Sequence, residues 1–129
     1  EFQVRLDLPD PMPLTDVELC TVLGNLLDNA VEACSRQTKG KRRILVVGEI
    51  RGNMYFLKIE NTYDGLILPE EKTFRSRKGT SADHGIGLSS VRRILENHGG
   101  DLDLVPGEET FLVGITIECP FISKSQRVI

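Results

Sequence analysis

Near the end of this chain five apolar side chains alternate without a break: Phe111, Val113, Ile115, Ile117 and Cys119. A strand turns successive side chains to opposite faces, so this row makes one face of a sheet apolar and demands a layer to cover it. The same period of two recurs in Met54–Asn61, where Tyr55, Leu57 and Ile59 share a face. It recurs again in Phe2–Leu8, where Val4, Leu6 and Leu8 alternate with Gln3, Arg5 and Asp7, which reads as a half-buried strand ended by the prolines at 9, 11 and 13.

The covering layer reads as helical. Thr15 or Asp16 can cap a helix running to about Arg36, with Glu18 in the first turn where its charge meets the helix dipole favourably. At 100 degrees per residue, Leu19, Leu23, Leu26, Leu27, Ala30, Val31 and Cys34 fall on one broad apolar arc. Glu18, Thr21, Asn25, Asn29, Glu32 and Arg36 fall on a narrow opposite stripe. A second helix is predicted within HGIGLSSVRRILENHGG, where Leu88, Val91, Ile94, Leu95 and His98 recur at helical spacing and Gly99-Gly100 supply a stop. Strands at Ile44–Ile50 and Met54–Asn61 flank the turn Arg51-Gly52-Asn53 as a hairpin, and Asp101–Val105 and Thr110–Cys119 close the chain. Without regular βαβ alternation, the pattern predicts an α+β fold, a two-layer α/β sandwich whose antiparallel or mixed sheet carries helices on one face.

The whole chain, residues 1–129, reads as a single domain. A net charge of −3 with 27% charged residues argues against a nucleic-acid partner. Cys20, Cys34 and Cys119 are odd in number and lack C-x-x-C spacing, so neither a disulfide framework nor a zinc site is supported and a reducing, cytosolic compartment is expected. No apolar run approaches the length of a bilayer span, and the first residue is Glu1 and not Met, so the chain is expected to be a fragment of something longer.

Three motifs carry chemistry. LGNLLDNAVEAC sets Asn25 and Asn29 one turn apart, although Asn is a poor helix former. An exposed polar stripe explains the pair. So does a site where amide oxygens and amide donors meet a hard cation with its waters and phosphate oxygens. In DHGIGLSSV, Gly85 and Gly87 enter a helix, leaving its first N–H groups open to a phosphate; a loop that merely needs permissive glycines explains them equally. In IENTYDG, parity places Asn61 on the core face, as a structural amide or as a recognition group. Between the last two lies an aperiodic, charged stretch of about 66–84, expected to be a lid or binding loop, with Arg75, Arg77 and Lys78 as candidate phosphate partners.

In this order, N-L-L-x-N-A in a helix, a strand ending in a polar residue with glycine four on, a charged lid, and G-I-G-L opening a helix that ends H-G-G, the chain resembles the GHKL ATP-binding superfamily. The likeness spans about Leu14 to Pro120, and NLLDNAVEAC with the IENT and HGIGL variants is most similar to sensor histidine kinases of the peptide-sensing, quorum-type branch. The resemblance implies the Bergerat α/β sandwich, with ATP and Mg2+ as cofactors. It gives Asn29 the magnesium, Asn25 a place beside the phosphates, Asn61 the adenine amino group, and Gly65 the second glycine of the adenine box. Gly85 and Gly87 would meet the phosphates within the segment His84, Gly85, Ile86, Gly87, Leu88, and Lys78 would approach from the lid. This chain departs from the pattern at Tyr63, which stands at the first glycine of the adenine box, at Asp83, and at Asn61, where an aspartate is usual. A neutral acceptor contributes less than a charged one, about 0.5–1.5 against 1.5–3 kcal/mol, so adenine affinity is expected to be roughly tenfold weaker.

Hydrolases of the superfamily carry a glutamate where Asn25 stands; an amide cannot take a proton from water, so the resemblance implies a kinase. His84 and His98 lie in the glycine motif and its helix, and the phosphate acceptor is expected on a separate helical hairpin. The implied partners are that dimerisation and phosphotransfer domain and a response regulator downstream. The parent is expected to be a homodimer, membrane-anchored, with this domain cytoplasmic. A serine kinase of the anti-sigma type and a degenerate nucleotide-binding or interaction module are the alternatives.

Overall fold

A computed structural model describes residues 1–65, 86–119 and 124–128, with side chains described except at Ile86 and 124–128. Six strands form one sheet: β1 (Phe2–Asp10), β2 (Ile44–Arg51), β3 (Met54–Thr62), β4 (Asp101–Pro106), β5 (Thr110–Glu118) and β6 (Lys124–Val128), in the order β4-β5-β3-β2-β1-β6. β1 runs parallel to β2 and every other pairing is antiparallel, so the sheet is mixed. Helices α1 (Asp16–Arg36) and α2 (Ile86–Asn97) pack against each other, α1 on β3 and α2 on β4. The expected α+β sandwich is the observed one.

The period of two does what it predicted in β3 and β5. Tyr55, Leu57, Ile59 and Asn61 are buried on the helix side, and so are Phe111, Val113, Ile115 and Ile117, with Cys119 just beyond the strand. The two-residue loop Gly52-Asn53 pairs Arg51 with Met54, and Gly52 has φ +61°, which a glycine adopts without strain. β1 departs from its reading. Phe2 and Val4 are exposed and burial begins only at Leu6, because β1 lies beyond the part of the sheet that α1 covers. The strand also continues through Pro9 to Asp10; Pro9 pairs with Ser125 of β6, a strand with no counterpart in the sequence reading.

Thr15 is the N-cap of α1 in a full capping box: its hydroxyl accepts from the Glu18 N–H at 3.1 Å and its own N–H donates to Glu18 Oε1 at 2.9 Å. The buried face of the helix is the row Val22, Leu26, Ala30 and Cys34. The broad apolar arc was rotated: Val31, placed on it, is 52% exposed, while Val22, left off it, is fully buried. Asn25 and Asn29 are half-buried beside the buried row, not on an opposite solvent stripe. The cause is α2, which packs along that side of α1 and turns a flank of the helix inward.

At the far end of α2, Gly99 (φ +68°) stops the helix and the Gly100 N–H donates to the Leu95 carbonyl at 2.7 Å. His98, read as part of the apolar row, instead sets Nε2 3.0 Å from Glu18 Oε1, joining the end of α2 to the start of α1. A Cβ on Gly100 would stand 2.6 Å from the Thr116 carbonyl, so only glycine lets α2 turn into β4 this close to β5.

Candidate functional site

α1, β3, β5 and α2 enclose a crevice with Asn29 on its helical wall and Asn61 on its sheet wall. Leu26, Ala30 and Ala33 of α1, Ile59, Leu88, Leu104 and Val113 supply its apolar lining. Asn61 is placed by pairing with Ile44 on one side and Phe111 on the other, at the end of β3. Its Nδ2 donates to the Thr62 carbonyl at 3.0 Å, which turns the amide so that one donor is spent and Oδ1 keeps no hydrogen bond among the described residues. Asn61 is thus 5% exposed with an acceptor in hand.

One turn before Asn29, the Asn25 Nδ2 donates to the Thr21 carbonyl at 2.8 Å. This aims Oδ1 at the first turn of α2, where a Cβ added to Gly87 would meet it at 3.0 Å. Glycine at 87 therefore lets the first turn of α2 lie closer to the Asn25 side chain than a residue with a Cβ could. Gly65 has φ +84°, and a Cβ there would lie 3.6 Å from the Glu108 carbonyl of the β4–β5 turn. Leu88 is buried and forms part of the crevice floor, and Ile86 opens α2. Lys78, His84, Gly85 and the lid at about 66–84 lie outside the described residues.

Arg36 and Tyr63 line the crevice and escaped the sequence reading of the site. Arg36, assigned to a polar stripe, comes seven residues after Asn29 and so shares its face two turns on; it stands at the crevice beside an exposed Glu32 at 3.9 Å. Tyr63, noted only as a departure, is buried at 7% exposure, and its parity with Asn61 was the available signal. Its hydroxyl donates to the Gly107 carbonyl, its N–H to the Glu109 carbonyl at 3.1 Å, and its ring meets Phe111 edge-on with centroids 5.6 Å apart.

The groups with shifted titration stand away from the crevice. The Thr15 N–H and then His98 hold the Glu18 carboxyl below its usual range, against an opposing push from desolvation, at the other end of the α1–α2 contact. Burial pushes the Tyr55 hydroxyl up to about 12, with Asp7 and Cys119 adding to it. No group of three or more His, Cys, Asp or Glu that could hold a metal occurs among the described residues.

A family model described as GHKL domain matches residues 14–118. The chain belongs to the GHKL family. Sensor histidine kinase CitA of Klebsiella pneumoniae is 32% identical over 99 residues, covering 71% of this chain and 17% of that protein. Sensor protein kinase CarS of Pseudomonas aeruginosa is 34% identical over 123 residues, covering 90% of this chain and 25% of its own length. This GHKL chain thus spans a quarter or less of those relatives. Among solved structures, mycobacterial sensor histidine kinase MprB superposes with TM-score 0.65 at 21% identity, over 94% of this chain and 83% of that one. Full-length ShkA, solved in complex with AMPPNP, gives 0.68 at 22%, over 98% and 26%. Both show that this GHKL domain shares its fold with part of those proteins.

Proposed function

We propose that this GHKL domain is the ATP-binding catalytic domain of a sensor histidine kinase. The observation that carries the reading is the convergence of three motifs distant in sequence: Asn29, Asn61 and Leu88 line one crevice, and Asn25 Oδ1 faces Gly87, the residue before Leu88. The residues fit the cofactors. Mg2+ takes hard oxygen ligands and is commonly held by one or two protein groups, the rest being water and phosphate, a demand the Asn29 amide oxygen meets. The N–H groups at the start of a helix favour a phosphate, and α2 starts at Ile86 beside the Asn25 side chain.

In this assignment Asn29 holds Mg2+, Asn25 orients the phosphates, Gly85, Gly87 and the Ile86–Leu88 turn receive them, and Lys78 and His84 approach from the lid. Asn61 accepts from the exocyclic amino group of adenine, and Gly65 keeps the chain close to the β4–β5 turn. When bound, ATP would supply the γ-phosphoryl group and Mg2+ would offset its charge. The P–O bond to ADP breaks as a P–N bond forms to the imidazole of a histidine on a separate helical hairpin. The protein's share is positioning and electrostatics, and Asn25, an amide, provides no base to activate water. The parent is proposed to be a membrane-anchored homodimer of the peptide-sensing branch that hands the phosphoryl group to a response regulator.

Titration with Mg2+ and a non-hydrolysable ATP analogue tests the reading: saturable binding is expected, and none at millimolar nucleotide would sink it. Asn29→Ala should abolish transfer to an added histidine hairpin, and unchanged transfer removes Asn29 from its role.

A further inference from the structure

Glu18 carries two contacts on one oxygen. Its Oε1 accepts from the Thr15 N–H at 2.9 Å, inside the cap of α1, and lies 3.0 Å from His98 Nε2 just past the end of α2. An ionised carboxylate only accepts, so Nε2 carries the proton in this contact. The cap holds the Glu18 carboxyl in place on α1. His98 is held by the chain reversal, where its N–H donates to the Leu95 carbonyl at 3.0 Å and Gly99 turns the backbone at φ +68°. α2 therefore runs back along α1: its end meets Glu18, and its first turn, at Gly87, meets the Asn25 side chain two turns further along α1. Between these two joins, Val22 of α1 and Val91 and Leu95 of α2 are buried in the shared core. Apolar burial is non-directional, so it holds the helices together but fixes the register of α2 along α1 only loosely. A hydrogen bond has a distance and an angle to satisfy. The Glu18–His98 contact thus sets that register, and because a helix of 12 residues moves as a rod, an axial shift at its end reappears at Gly87.

We infer that Glu18 and His98 are a positioning pair for the nucleotide site: their contact, remote from the crevice, sets how the first turn of α2 meets Asn25 and thereby the affinity for the phosphates of Mg-ATP. The inference rests on the nucleotide reading, in which Asn25 and the Gly87 turn meet the phosphates, and gives a share in that task to two residues that touch no ligand. Remote changes along such a packed connection alter affinity roughly two- to thirtyfold.

The test compares the wild-type chain with His98→Leu, which removes the donor, and His98→Gln, which keeps one at similar reach. Affinity for Mg2+ with a non-hydrolysable ATP analogue is measured well below each Tm, and the Gly87 amide resonance is followed in the isotope-labelled, ligand-free protein. His98→Leu should lose roughly two- to thirtyfold in affinity and shift the Gly87 resonance, and His98→Gln should bring both back towards wild type. A contact that only stabilises the fold lowers Tm in His98→Leu and leaves affinity and resonance unchanged, a result that overturns the inference. So does a loss of affinity with an unmoved Gly87 resonance, or a loss that His98→Gln shares in full. Should His98→Leu fail to fold, His98→Ala removes the same donor and is read by the same outcomes. Absence of saturable binding by the wild type overturns the nucleotide reading itself, and this inference with it.

Discussion

Asn25 and Gly87 show how much one atom decides at this site. A methyl group at 87 would press on the Asn25 amide oxygen at 3.0 Å, with room only if that side chain gives way. Gly87→Ala is therefore expected to weaken Mg-ATP binding more than it lowers Tm, measured by titration and thermal melting of the same sample. Tyr55 behaves in the opposite way. Its hydroxyl is buried without a partner among the described residues, close against Gly48, and its pKa is pushed up to about 12. An unpaired buried hydroxyl costs free energy, so Tyr55→Phe should be neutral or stabilising, by up to about 1 kcal/mol in a urea melt. Because the folded state keeps this proton after the unfolded state has lost it near pH 10, Tyr55 contributes stability below that pH that fades as pH rises towards 12. Tyr55→Phe should flatten that alkaline decline, and an identical decline in the variant would refute the assignment.

Between elements, the telling joint is the one where Glu18 serves two helices. It completes the capping box of α1 and meets His98 from the end of α2. Thr15→Ala should cost about 1 kcal/mol of stability by removing the cap. The Glu18 carboxyl has its pKa depressed, first by the Thr15 N–H and then by His98, so the stability it contributes is present above pH 4.5 and is lost as pH falls through its lower folded value. Glu18→Gln should accordingly reduce the acid sensitivity of Tm below that pH, and a Tm profile that still falls as the wild type's does would count against the contact. Gly100→Ala should be among the more damaging single changes, since the new Cβ meets the Thr116 backbone at 2.6 Å. Element boundaries were legible at this scale because caps and turns are local: Thr15, Gly52-Asn53 and Gly99 each announce themselves in sequence. The rotation of α1 was not, since Val22 and Val31 are equally apolar and only the position of α2 decides which is covered.

For the whole molecule, binding of Mg-ATP to the folded state alone should raise Tm in a concentration-dependent way, by about 2.7 kcal/mol of added stability at a hundredfold excess over Kd. Asn29→Ala should abolish that rise while leaving the ligand-free Tm near wild type, because Asn29 is half-buried at the crevice and not part of the core row. What the sequence by itself determined was the set of elements and the chemistry on each: period-two strands, capped helices, and amides where a purely structural helix prefers stronger helix formers. These follow from local backbone geometry and side-chain type, which need no knowledge of distant residues. Tertiary structure alone decided that β6 pairs with β1, that the first half of β1 stays exposed, and that Tyr63 and Arg36 join Asn29 and Asn61 at one crevice. Those facts depend on which surfaces meet, and burial is a property of the pair that packs, never of one residue or one periodic row.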